Sequence, residues 1–249
     1  MAKLKGLLKI EGTLDNLTFY KTQDGHLVRT KGGVSGDRIA NDPVFVRTRE
    51  NGAEFGAAAE SGKLLRNTVR TLMLNAADNR VTSRITKIMT QIKDYDAQSA
   101  RGERNVGIGI LDPNAVQMLK GFDFNKRSVI GAVLYAPFSV NQSSGDIVFN
   151  SFTPINDLAY PAGATHVTLR NAFAIIDFAA GTSDITFSQP TNLLIDGTNT
   201  AAYLQTAGSP SGNGTRIFLM MLEFFQEVNG VQYSLKNGAY NVLSIVDIV

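Results

Sequence analysis

The chain has 249 residues with 43% hydrophobic content and no cysteine. That is ample for a sizeable core without staples, and it excludes disulfides, thiolate nucleophiles and cysteine-ligated metal clusters. Net charge is +2, yet residues 1–110 hold 18 Lys plus Arg against 12 Asp plus Glu, and residues 111–249 hold 6 against 10. The basic residues alternate with acids and form no arginine tract, which reads as a solvated helix face rather than a nucleic-acid footprint. The same asymmetry suits head-to-tail orientation of like subunits.

The opening Met1–Gly12 has basic residues but no uninterrupted apolar segment and no small-residue cleavage site, so it does not read as a secretory signal. No apolar run reaches membrane-spanning length. The expectation is no membrane insertion and a cytoplasmic address by default, with release by lysis or dedicated export left open.

The first thirty residues read as a β-meander, with strands at Gly6–Glu11, Leu17–Thr22 and His26–Thr30 and turns at Asp15-Asn16 and Asp24-Gly25. A sheet this small is marginal alone, so it must dock on its own chain or on a neighbour's. After the loop Gly32–Asn41, Asp42-Pro43 supplies an N-cap and a first-turn proline. A long helix is expected from there to Asn75. Its small and apolar positions, Phe45, Thr48, Gly52, Phe55, Ala59, Gly62, Leu65, Val69 and Leu72, recur in steps of three and four.

Glycine in a helix interior costs about 1 kcal/mol relative to alanine, so Gly52, Gly56 and Gly62 call for the close approach of another backbone. A second helix, Asn79 to Gln98 with Asp78 as cap, carries Val81, Ile85, Ile88, Ile92 and Tyr95 at the same spacing. The two form an antiparallel hairpin through residues 75–78, or else pack between molecules. Ser99–Asn105 reads as a linker, followed by a short helix capped by Asp112-Pro113 and ended by Gly121.

Beyond Gly121 the texture changes to extended runs: Val129–Val140, Asp146–Phe152, Thr165–Phe178, Asp184–Ser188, Thr191–Ile195, Thr215–Glu227, Val231–Leu235 and Tyr240–Val249. Asn229-Gly230 and Asn237-Gly238 are tight turns among them. The predicted class is therefore α+β, with a meander and helical hairpin over residues 1–121 and an antiparallel, immunoglobulin-like β-sandwich over residues 122–249. Ile217–Phe225 is apolar on both faces, whereas a sandwich strand with one wet face should alternate. Its outer face must be covered by the hairpin, by the meander or by another subunit.

The motifs point away from catalysis. His26 and His166 stand alone, without a second ligand at metal spacing. Gly56–Lys63 has five residues between its glycines and lies within a predicted helix, so it cannot cradle phosphate. Gly107-Ile108-Gly109 follows no strand. Asp94–Gln98 opens like a calcium loop but has Ser99 where glycine is obligatory. Asp177 and Glu223 interrupt apolar strands, and an inward carboxylate there needs a partner such as Arg170 or Arg216. No cofactor or metal is implied.

The segments Lys5-Gly6 through Leu17–Lys21, Arg47–Gly56 and Glu223–Gly230 resemble an uncharacterised bacterial protein family. That resemblance implies a shared N-terminal meander, helices and C-terminal sandwich, and it carries over no catalytic residue.

The combined expectation is a self-assembling structural subunit of a filament, tube or other homopolymer, held by β-edge pairing and helix packing and partnered by itself. Its predicted interface residues are Gly52, Gly56, Ala59, Gly62, Phe218, Met220, Leu222, Phe224, Ile245 and Ile248. The first alternative is a binding module for a glycan, a protein or a phage-like partner, using sandwich loops such as Gly208–Gly214. The second is nucleic-acid binding through Arg47, Arg49, Arg66, Arg70, Arg80 and Arg84.

Overall fold

A computed structural model describes residues 2–3, 10–30, 32–235 and 239–249. It divides into two compact units, Met1–Arg49 and Glu50–Val249. Residues 6–9 of the first predicted strand and the predicted Asn237-Gly238 turn lie outside the described residues. The fold is α+β, with a small N-terminal sheet, helices and a C-terminal pair of antiparallel sheets packed as a sandwich.

In the first unit β1 (Ala2–Lys3), β2 (Gly12–Leu14), β3 (Leu17–Thr22) and β4 (Gly25–Thr30) form an antiparallel sheet in the order β1-β4-β3-β2. Thr22 pairs with Gly25, so the tight turn is Gln23-Asp24, one residue earlier than predicted. Helix α1 (Gly36–Asn41) follows, and Asp42 then caps a 3-10 turn at Pro43–Phe45 by accepting the Val44 N–H at 3.0 Å. The Asp42-Pro43 start signal was thus legible, although it opens a tighter turn that leads into α2 (Val46–Thr68).

In the second unit α2 runs on, with a break at Val69, into α3 (Arg70–Ala76), and α4 (Val81–Lys93) returns beside α2. A Cβ on Gly62 would lie 3.0 Å from Ile85 Cγ2 and 3.6 Å from Met89 Cγ, and Glu54 bonds Lys93, so the hairpin is antiparallel. Helices α5 (Val106–Gly109) and α6 (Pro113–Gln117) lean on α4, the latter capped by Asp112 as its sequence predicts. Helix α7 (Ile130–Val133) then takes the start of the predicted strand Val129–Val140, Leu134 makes an isolated bridge with Leu158, and only β5 (Ser139–Val140) remains as a strand. The Asp123 carboxylate, seven residues back, accepts the Ile130 N–H at 3.0 Å at the start of this helical turn, and Pro137 has no N–H to give a ladder.

Strands β6 (Ile147–Phe152), β7 (His166–Asp177), β8 (Thr182–Phe187), β9 (Thr191–Leu194), β10 (Thr200–Leu204), β11 (Thr215–Val228), β12 (Val231–Ser234) and β13 (Val242–Ile248) complete the chain, with a single helical turn α8 (Pro154–Asp157) after β6. Only β10 among them lacks a sequence signal, since Ala201-Ala202 carries little strand propensity. The larger sheet is built on β7 and β11, which pair over eleven residues; β8 and β9 lie along the outer edge of β7, and β12 and β13 along that of β11. Asn229 and Gly230 both have positive φ, as the β11–β12 turn demands. The smaller sheet is β10-β6-β5.

Ile217, Leu219 and Met221 of β11 enter the cluster formed with Ala58, Leu65, Ile85, Met89 and Ile92 of the helices. Met220, Leu222 and Phe224 point the other way, into a cluster with Ile147, Phe149, Phe152 and Leu204 of the smaller sheet. Phe218 stacks on Phe173 with ring centroids 4.7 Å apart. The doubly apolar strand is therefore covered on both faces within its own chain. This layering also moves the predicted boundary at 121/122: helices and large sheet share one core, and the division falls at Arg49/Glu50.

Truncating one residue from each face, Leu219→Ala and Leu222→Ala, should each cost about 2–5 kcal/mol. Urea denaturation of the 50–249 unit measures it; a loss below about 1 kcal/mol at either site would contradict burial within the chain.

Candidate assembly surfaces and polar sites

The structure separates the ten predicted interface residues into two groups. Phe218, Met220, Leu222, Phe224 and Ile245 are fully buried, and Ile248 is 1% exposed; all six are core of the single chain and are withdrawn as contact residues. The C-terminal strand is also spoken for. One edge of β13 pairs with β11, and the other receives Gly121 N–H to Ile245 O and Phe124 N–H to Leu243 O, both at 2.8 Å. It has no free edge there to lend to a neighbour.

Gly62 is buried against α4, and the atoms nearest it there belong to the Ile85 and Met89 side chains rather than to the backbone its sequence predicts. Gly52 and Gly56 are exposed, with nothing within 4 Å of an added Cβ, Ala59 is half-buried, and Phe55 beside them is 57% exposed. The helix is rotated from the predicted stripe: its buried positions are Glu54, Ala58, Gly62 and Leu65. Continuing back from Leu65 in steps of three and four leads through Gly62 and Ala58 to Glu54.

Glu54 is 2% exposed and explains the rotation. Its carboxylate accepts Lys93 Nζ at 2.7 Å, Arg104 Nε and Nη2 at 2.9 and 2.8 Å, and the Gly102 N–H at 2.9 Å. Burying a carboxylate is tolerable only with such partners. The Arg104 bonds, with Lys93 and Gly102 assisting, outweigh burial and hold its pKa down to about 2. Nearby, Asp96 accepts the backbone N–H groups of Gln98, Ser99 and Asn105. The predicted linker Ser99–Asn105 is thus a folded loop tied to both helices, and the calcium-like Asp96 spends its oxygens on backbone.

Two carboxyls behave oppositely. Burial raises the pKa of Asp123, against the Ile130 N–H and the charge of Arg84. Burial likewise raises that of Glu223, against a hydrogen bond with Asn75 and the charge of Arg170. Asp177 sits at the end of β7 and accepts Ala179 and Ala180 N–H, a turn-forming role. His166 lies 3.6 Å from Glu227 and His26 4.0 Å from Glu11, far apart in the chain and each with one carboxylate. Among the described residues no group of three or more His, Asp or Glu is placed to hold a metal ion, and no helix is long and apolar enough to cross a membrane.

The loop Gly208–Gly214 is pinned. Asp184 accepts Ser211 N–H and Oγ at 2.7 and 2.8 Å, Gly208 O accepts Thr186 Oγ1 at 2.6 Å, and Pro210 is buried. The arginines also divide. Arg84 is consumed by Asp78, Asp123 O, Phe124 O and the Phe122 ring, and Arg49 by the carbonyls of Ile39 and Asp42. Arg66 and Arg70 line one shallow pocket together.

The first unit presents a different kind of surface. None of its described residues from Ile10 to Arg49 is buried. Cross-strand pairing puts Leu14, Leu17, Phe19 and Val28 on one face of the sheet, with Leu14 62% exposed. Lys21, His26 and Thr30 share that face, and the other carries Thr13, Thr18, Tyr20, Leu27 and Arg29, the last over the Tyr20 ring at 5.4 Å. Strand β2 is exposed throughout and forms an outer edge. No protein-family model, curated protein or solved structure matches the chain.

The two classes of carboxyl predict opposite pH effects. Glu54 titrates below its ordinary 4.5 when folded, so its contribution is fully present above about pH 4.5 and is lost as pH falls toward 2. Glu54→Gln should lower the melting temperature at pH 7 and flatten the acid limb of stability against pH; an unchanged acid limb would contradict the assignment. Glu223 titrates above its ordinary value, so its charged form opposes folding at pH 7. Glu223→Gln should raise the melting temperature there, and a fall would show the charge to be stabilising.

Proposed function

We propose that this protein is a self-assembling structural subunit whose copies meet through the N-terminal unit. The observation that carries the reading is the sheet of β1 to β4: one face gathers Leu14, Leu17, Phe19 and Val28, β2 lies at its edge, and among the described residues from Ile10 to Arg49 none is buried. A sheet of so few short strands is marginal without cover, and an exposed edge is a template for pairing with another chain. The second unit, by contrast, buries three apolar clusters of its own. The occupant we propose is a second copy covering Leu14, Leu17, Phe19 and Val28, since edge pairing between like sheets propagates into a polymer unless it closes.

This reading relocates the contact from the long C-terminal strands to the first fifty residues. It is non-catalytic and needs no cofactor. Sandwich-loop binding loses its motive with the pinning of Gly208–Gly214.

The test compares the full chain, Leu14→Asp/Leu17→Asp and the 50–249 unit by light scattering and negative-stain electron microscopy at on the order of tens of micromolar protein. The full chain should assemble, the other two should be folded monomers, and the double variant should keep the circular dichroism of the second unit. A monodisperse monomer for the full chain, with no assemblies on the grid, would sink the proposal.

A further inference from the structure

The chain contains no cysteine and two histidines, and histidine is the side chain whose ordinary charge change falls between about pH 5 and 8. His166 belongs to the second unit, where its Nδ1 lies 2.9 Å from the Thr165 hydroxyl and its Nε2 3.6 Å from Glu227. His26 stands in the N-terminal sheet. Strand register puts it on the face that carries Leu14, Leu17, Phe19 and Val28.

That position is poorly suited to a charge. The His26 side chain is 17% exposed, and its Nδ1 is sealed from solvent with no hydrogen-bond partner. A neutral imidazole tolerates this, because the unpaired nitrogen can be the one without a proton. Protonation turns Nδ1 into a donor that water cannot reach. Among the described residues two charged groups neighbour the ring: Lys21, its cross-strand partner on β3, and Glu11, ahead of β2, whose carboxylate is 59% exposed and 4.0 Å from Nδ1. At that distance Glu11 attracts a charged ring without accepting a hydrogen bond from it. With His26 neutral, Lys21 and Glu11 cancel; with His26 protonated, the three groups carry a net positive charge on every copy.

We propose that protonation of His26 dissociates the assembly, which makes the N-terminal sheet an acid-sensitive contact between copies. The inference rests on the assembly reading above. Covering this face with a second copy takes the imidazole further out of water, which disfavours its charged form, and it brings sheets of like charge together. The assembled state therefore excludes a proton that the free chain accepts. Assembly is favoured above the imidazole range and is lost as pH falls through it.

The protein concentration at which assembly begins is measured by light scattering at about pH 8 and about pH 5.5, at constant ionic strength, for the full chain, His26→Gln and His166→Gln. The full chain should need about tenfold more protein at the lower pH. His166→Gln should behave the same way, and His26→Gln should assemble equally at both. Circular dichroism at each pH checks the fold, and His26→Thr, with a good strand former, replaces His26→Gln if that variant loses it. An onset independent of pH in the full chain would overturn the switch and leave the assembly reading standing. So would an acid loss that survives His26→Gln or vanishes in His166→Gln. A full chain that stays monomeric at both pH values would overturn the assembly reading and the switch with it.

Discussion

Strand β11 is apolar on both sides, and a strand of that kind is stable only when both faces are dry. Helices α2, α3 and α4 cover one face and the β10-β6-β5 sheet covers the other. The remaining architecture follows from supplying these two covers. Helices and small sheet are held in one unit because they grip opposite sides of the same sheet, and the chain between them, including residues 121–124, is drawn along the outer edge of β13. The result is three layers, with the helices on the far face of the sandwich's larger sheet.

The helical cover is oriented by polar chemistry as much as by apolar burial. Glu54 is drawn inward by Lys93, Arg104 and the Gly102 amide, which turns Ala58, Gly62 and Leu65 onto α4 and the sheet. Phe55, Gly52 and Gly56 are turned outward as a consequence. One buried carboxylate therefore sets both what the helix packs against and what it shows to solvent.

Much of the fold was legible. Alternation and turn residues located β6 to β9 and β11 to β13, and the Asp-Pro pairs marked two helix starts, because these signals are local and arise from backbone sterics and capping. Long-range choices were not legible. Apolar residues on both faces of Ile217–Phe225 announce that two partners exist without saying whether they belong to the same chain, so the six core residues from Phe218 to Ile248 were assigned to an interface. The helix at Ile130–Val133 depends on Asp123, a residue seven positions away, and the rotation of α2 depends on Arg104, fifty positions away. His26 was visible only as a lone histidine beside a turn; that it shares a face with Leu14, Leu17, Phe19 and Val28 is decided by strand register.

Both faces of β11 are covered within the chain, and the N-terminal sheet is the surface we propose another copy completes. Hydrogen exchange followed residue by residue across a dilution series of the full chain tests this division of labour most directly. The account predicts that amides of Ile217–Phe224 stay protected to the same degree at every concentration, while amides of Leu17–Thr30 gain protection only as assemblies form. Protection of Ile217–Phe224 that fades on dilution, with Leu17–Thr30 unaffected, would contradict it.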